Sequence, residues 1–140
     1  MQLSTKVRYG IRAMLEIALQ YEGKPVMASY IAEKQALSRK YLENLLNMLR
    51  VNGLIKSIRG SKGGYILARK PKDITLEEIV IALDGPLAIT PCVESPEFCD
   101  FSKLCVTHEL WVDMTNLISD YLQNKNLETL IISYKKKQEV

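Results

Sequence analysis

Nowhere in its 140 residues does the chain run further without a charged side chain than the nine positions from Gly85 to Val93. A membrane-crossing helix needs about 18 or more apolar residues in a row, so none is expected. Arg12 and Glu16 break the first apolar segment, which rules it out as the hydrophobic stretch of an export signal and points to the cytoplasm. Only three cysteines and one histidine are present. In a reducing compartment so few thiols do not build a disulfide framework and are left free for metal or redox chemistry. The close C-x2–4-C pairs of zinc fingers are missing. So is the phosphate-binding order G-x-x-x-x-G-K-[ST]: Gly60-Ser61-Lys62-Gly63-Gly64 has the glycines in the wrong places and no helix after them. No oxyanion donor or cleft accompanies a Cys/His pair, so no enzyme is expected, and no internal repeat is visible.

What is there is a folded domain of ordinary composition, 47% hydrophobic and 25% charged, with its charge divided in two. Residues 1–72 carry 14 Lys/Arg against 4 Asp/Glu, whereas residues 73–140 carry 5 against 12. A basic half suits a polyphosphate, because each neutralised DNA phosphate releases condensed counterions.

Along the chain, Val7, Ile11, Leu15, Ala18 and Leu19 recur at helical spacing between Ser4, a candidate N-cap, and Tyr21. A short helix is expected over Ala28–Lys34. Ser38 can cap a third, whose Leu42, Leu45, Leu46 and Leu49 form one stripe ended by Gly53. Leu54–Ile58 and Tyr65–Ala68 are β-prone and flank a glycine-rich tip, which predicts a hairpin. Thr75 and Glu78 make a capping box for a fourth helix ending at Gly85. Three prolines then predict an irregular loop over 85–104, followed by a long helix from Cys105 to Leu122 that carries Leu110, Met114, Leu117, Ile118 and Tyr121 on one stripe and needs a partner surface. A short helix over Leu127–Ile132 and a basic tail over 135–140 complete the chain.

The fold class expected is mainly α with a small β-hairpin: a winged helix-turn-helix over 1–84, a cysteine-containing loop over 85–104, and a dimerisation helix with a short last helix over 105–134. In that pattern the third helix enters the major groove. Its exposed residues would be Ser38, Arg39, Lys40, Tyr41, Glu43 and Asn44. Asn44 can pair with adenine, Lys40 can reach guanine or phosphate, and Ser38 and Tyr41 can donate to phosphate. Glu43 repels phosphate but accepts from the cytosine amino group, which makes it a discriminator rather than a source of affinity. At the hairpin tip Arg59, Gly60, Ser61, Lys62 and Gly63 combine two cations with glycines that permit close approach to a phosphate backbone or minor groove. Thr5, at the start of the first helix, joins this set.

Cys92-x6-Cys99-x5-Cys105-x2-His108 gathers every cysteine and the only histidine into 17 residues. Cys105 and His108, three apart at a helix start, face the same way. Three thiolates and an imidazole can complete an iron–sulfur cluster whose potential the neutral ligand raises, a property that suits a sensor. Glu94, Glu97, Asp100 and Glu109 are alternative fourth ligands.

The chain resembles the Rrf family of winged-helix transcription regulators, in its iron–sulfur-regulator branch. The resemblance rests on Leu3-Ser4-Thr5-Lys6 with Arg8-Tyr9, Ser38 with Tyr41-Leu42-Glu43 and Leu45, and Asn52-Gly53-Leu54. It continues through Arg59-Gly60, Gly63-Gly64-Tyr65, the cysteine loop, and Cys105-Val106-Thr107-His108 with Leu110-Trp111. It implies a homodimer joined through the long helix, pseudopalindromic sites on double-stranded DNA, a 2Fe-2S cluster on Cys92, Cys99, Cys105 and His108, and control of iron–sulfur biogenesis promoters. Relatives that sense nitric oxide take an acidic ligand from the first helix of the partner protomer, where this chain has Lys6, Arg8 and Arg12. That favours 2Fe-2S, with a 4Fe-4S cluster as the alternative. A different reading is an interaction protein that carries a cluster and binds no DNA.

Overall fold

The computed structural model describes residues 1–140. Helix α1 (Thr5–Ala18) starts where Ser4 Oγ accepts from the Val7 amide at 3.1 Å. It buries Val7, Gly10, Ala13, Met14, Ile17 and Ala18, so its core face is rotated from the predicted stripe and leaves Leu15 only partly covered. The small residues Gly10 and Ala13 let neighbours approach closely and lie outside that stripe because they carry little hydrophobicity of their own, whereas Val7 and Ala18 are buried as expected. Helix α2 (Ala28–Gln35) ends at Ala36, whose φ of 53° lies in the left-handed region usually reserved for glycine. Leu37 then donates its amide to Ala32 O at 2.9 Å and turns the chain into helix α3 (Arg39–Val51).

Strands β1 (Ile55–Ile58) and β2 (Gly64–Leu67) pair antiparallel with Ile55 opposite Leu67 and Ile58 opposite Gly64. Val26 and Tyr65 exchange backbone bonds of 2.9 and 2.8 Å, which pins the hairpin to the segment before α2. Helix α4 (Leu76–Asp84) opens on the predicted Thr75/Glu78 capping box and stops at Gly85, φ 84°. Three helices and a hairpin around the buried leucines of α3 make the expected winged helix-turn-helix, closed off by α4.

Beyond it the structure departs from the sequence expectation twice. The loop 85–104 is not wholly irregular: helix α5 (Pro91–Glu94) and a 3-10 turn (Pro96–Phe98) each begin on a proline, a residue whose fixed φ suits a first helical position. Helix α6 (Val106–Gln123) follows as expected, but helix α7 (Leu127–Gln138) runs past Ile132 and takes up Lys135, Lys136 and Lys137 in its last turn instead of leaving them in a tail. Three cations at that end complement the helix dipole. Helix α7 also packs back on α1, with Leu127 fully buried in the shared core. Its start is stitched to the start of α4: the Leu76 amide donates to Lys125 O at 2.9 Å, and the Leu127 amide to Ile74 O at 3.1 Å. No helix is long and apolar enough to cross a membrane.

Candidate nucleic-acid interface and cysteine site

Helix α3 separates its residues cleanly. Leu42, Leu45, Leu46 and Leu49 are buried, while Ser38, Arg39, Lys40, Glu43 and Asn44 are exposed on the other side. Ser38 Oγ accepts from the Tyr41 amide at 3.2 Å and fixes the first turn. Tyr41 is half-buried: its hydroxyl donates to Thr5 Oγ1 at 3.3 Å and its ring stands edge-on to Tyr9 at 6.3 Å. Thr5 and Tyr41 therefore brace one another across α1 and α3. The guanidinium groups of Arg8 and Arg12 lie 5.9 and 5.2 Å from the Tyr9 ring centre, which adds two cations beside Tyr41 of α3. Sequence reasoning missed Tyr9 as the organiser of this edge; an aromatic between two arginines was the available signal.

At the hairpin tip Arg59, Gly60, Ser61 and Lys62 are exposed, and neither cation is in an ion pair. Gly60 adopts φ 107°, as a glycine-dependent turn requires. Gly63 departs from expectation. It is buried and without positive φ, and a Cβ there would stand 2.1 Å from Ile58 O, so it shapes the turn and offers no contact surface.

The cysteine motif closes at its ends. Cys92 on α5 and His108 in the first turn of α6 meet at 3.2 Å between Sγ and Nδ1, and Thr90 Oγ1 lies 3.1 Å from the same sulfur. Cys99 and Cys105 stand apart from this pair, and no three His, Cys, Asp or Glu side chains are gathered as one metal ion would need. The expected convergence of Cys105 with His108 is thus not seen: Cys105 lies outside α6 as its N-cap, where its sulfur turns to Thr107 Oγ1 at 3.0 Å. The Thr107 hydroxyl and the His108 amide hold its thiol below the usual range. Glu94, Glu97, Asp100 and Glu109 are exposed and join no such group. In donor chemistry three free thiols and an imidazole fit an iron–sulfur cluster; in geometry only the Cys92–His108 half is assembled.

Residues 3–133 match the family model Rrf2, described as an iron-dependent transcriptional regulator. The chain belongs to the Rrf2 family. It is 39% identical over 131 residues to the HTH-type transcriptional regulator IscR of Photorhabdus laumondii, covering 94% of this chain and 79% of that one. Against the IscR of Xenorhabdus nematophila identity is 40% over 140 residues, with coverage of 100% and 82%. Among solved structures, T. potens IscR superposes with a TM-score of 0.82 at 36% identity, over 99% of this chain and 91% of that chain. CymR, the global cysteine regulator of B. subtilis, gives 0.78 at 36% identity over 93% and 95%. The winged-helix architecture is therefore that of Rrf2 regulators, and these relatives are transcription regulators rather than enzymes.

Proposed function

We propose that this Rrf2-family chain is a DNA-binding transcription regulator whose promoter choice is set by an iron–sulfur cluster, and that its targets include genes of cluster biogenesis. One observation carries the DNA reading: α3 spends its leucines on the core and leaves Ser38, Arg39, Lys40, Glu43 and Asn44, which reach phosphates and base edges, exposed together. Arg59 and Lys62 extend that surface at the wing.

A homodimer is supported by the apolar stripe of α6. Leu110, Leu117 and Tyr121 are 53%, 70% and 64% exposed along one helix face, and a row of exposed apolar side chains marks a protein–protein contact. A two-fold pair would read a pseudopalindrome with half-sites about one helical turn apart.

Cys92, Cys99, Cys105 and His108 would hold the cluster, with 2Fe-2S favoured and 4Fe-4S the alternative. When bound, it supplies a redox-labile centre that the protein can gain or lose. The chain's own part is to present Cys92 and His108 already paired and to keep Cys105 at the threshold of α6, outside the helix. Drawing Cys99 and Cys105 toward that pair would pull the 95–105 stretch against the first turn of α6 and change how the two recognition helices are set across the dimer.

Anaerobic purification tests the cofactor. Bound iron, acid-labile sulfide and visible absorbance are expected in the wild type and are lost in C92A. A mobility-shift assay on promoter duplexes, run with and without the cluster, tests its control of DNA choice; identical promoter preference in both states would remove the switch from this reading.

A further inference from the structure

The first turn of α3 breaks a local rule. It contains Arg39 and Lys40 and no acidic residue, although a helix N-terminus favours negative charge. Arg39 Nε lies 3.0 Å from Glu43 Oε1, one turn along. This pair adds little to the helix: both side chains are at least half exposed, and the order with the base ahead of the acid is the weaker one. Violations of local preference without a stabilising return are found at functional sites.

The guanidinium of Arg39 makes no other hydrogen bond or ion pair within the protein, so its two terminal nitrogens keep their donors free. Glu43 likewise keeps Oε2 without a protein donor. Two neighbours on this face are committed elsewhere: Tyr41 is braced by Thr5, and Asn47 accepts from Arg50 at 2.7 Å. An arginine fork with a free edge matches guanine O6 and N7, and a carboxylate oxygen matches the cytosine amino group. Both edges belong to G·C pairs.

Resting on the DNA-binding reading, we infer that Arg39 is a specificity-determining residue that works with Glu43 as one unit recognising G·C pairs in the major groove. Arg39 cancels the charge that would otherwise drive Glu43 away from phosphates and holds the carboxylate in the plane from which it accepts. Glu43 in turn directs the fork. Neither residue reads its base correctly without the other, which makes their contributions to sequence preference interdependent.

The test uses the full chain, cluster-loaded under anaerobic conditions, in selection from a randomised duplex library. Affinities are then measured on the selected duplex and on versions in which each G·C pair is exchanged for A·T. The wild type should lose roughly ten- to a hundred-fold on exchanging the critical G·C pair. R39A and E43A should each flatten preference at the same position, and R39A/E43A should flatten it no further. R39K should recover affinity lost through charge but not the preference, because an ammonium lacks the fork. Independent, multiplicative losses at different positions, or R39K restoring the full preference, would overturn the inference while leaving DNA binding intact. If the wild type enriches no duplex at all, the regulator reading itself falls, and the pair with it.

Discussion

Ser4 Oγ donates to Asp84 Oδ2 at 2.7 Å across 80 residues of chain, and Lys6 Nζ stands 4.0 Å from the other carboxylate oxygen. The same hydroxyl accepts from the Val7 amide, so one side chain both caps α1 and ties it to the end of α4. Asp84 is the last residue before the cysteine loop, and Thr5, next to Ser4, is bonded to Tyr41 of α3. Ser4→Ala removes cap and tie together and should cost about 1 kcal/mol, whereas Asp84→Ala removes an exposed tie and should cost about half that or less. Urea midpoints measured on the two variants check the order, and a larger loss in D84A would mean that the tie, not the cap, holds α1.

Gly64 sits at φ 149°, and a Cβ there would lie 2.6 Å from Val26 O. The obstacle is backbone already bonded to Tyr65. Gly64→Ala should therefore cost about 1–3 kcal/mol and loosen the wing from its anchor, seen as faster amide exchange at Val26 and Tyr65.

Burial pushes the Glu78 carboxyl up, but hydrogen bonds from Arg69, the Thr75 amide and the Thr75 hydroxyl, with the Arg69 charge, outweigh it and leave it below the ordinary value of 4.5. Its folded-state value is thus depressed. The stabilisation is fully present above about pH 4.5 and fades as the pH falls through the lower folded value. Glu78→Ala should cost about 1 kcal/mol or less at pH 7, since the Arg69 pair is partly exposed, and the gap between variant and wild type in denaturant midpoint should narrow on acidification. A gap that widened would reverse the sign of the linkage.

Lys62 is exposed at the wing tip with no acidic partner, so its expected role is to neutralise one phosphate. Lys62→Ala should weaken binding to every duplex alike and reduce the slope of log affinity against log salt by about 0.9. A change in sequence preference instead would place Lys62 against a base edge.

The elements legible in the sequence are those whose instructions are local. Ser38 ahead of a leucine stripe, and Thr75 three residues before Glu78, specify a helix start from a handful of neighbouring atoms. What escaped was decided by distant contacts or by small residues. Gly10 faces the core because Leu83 of α4 approaches it closely, Ala13 is buried on the same helix, and the full length of α7 follows from docking on α1. At the site, residue types and spacing identified the outer face of α3 and the cysteine motif. They did not reveal that Gly63 is buried, that Tyr41 is committed to Thr5, or that Cys92 pairs with His108 while Cys105 turns away. Those outcomes depend on backbone paths through a turn and a loop, where neither period 3.6 nor period 2 applies.

The double stitch between Lys125–Leu127 and Ile74–Leu76 brings both ends of a fifty-residue stretch to one place, with its limits about fifty positions apart along the polymer and a single hydrogen-bond length apart in space. Helix α4, which packs in the shared core, the cysteine segment and α6 thus lie within one closed loop whose two ends meet at that seam. Strain arising in the cysteine segment therefore has two short routes back to the first helix, one through Asp84 at the end of α4 and the other through the seam where α6 hands over to α7, which packs on α1.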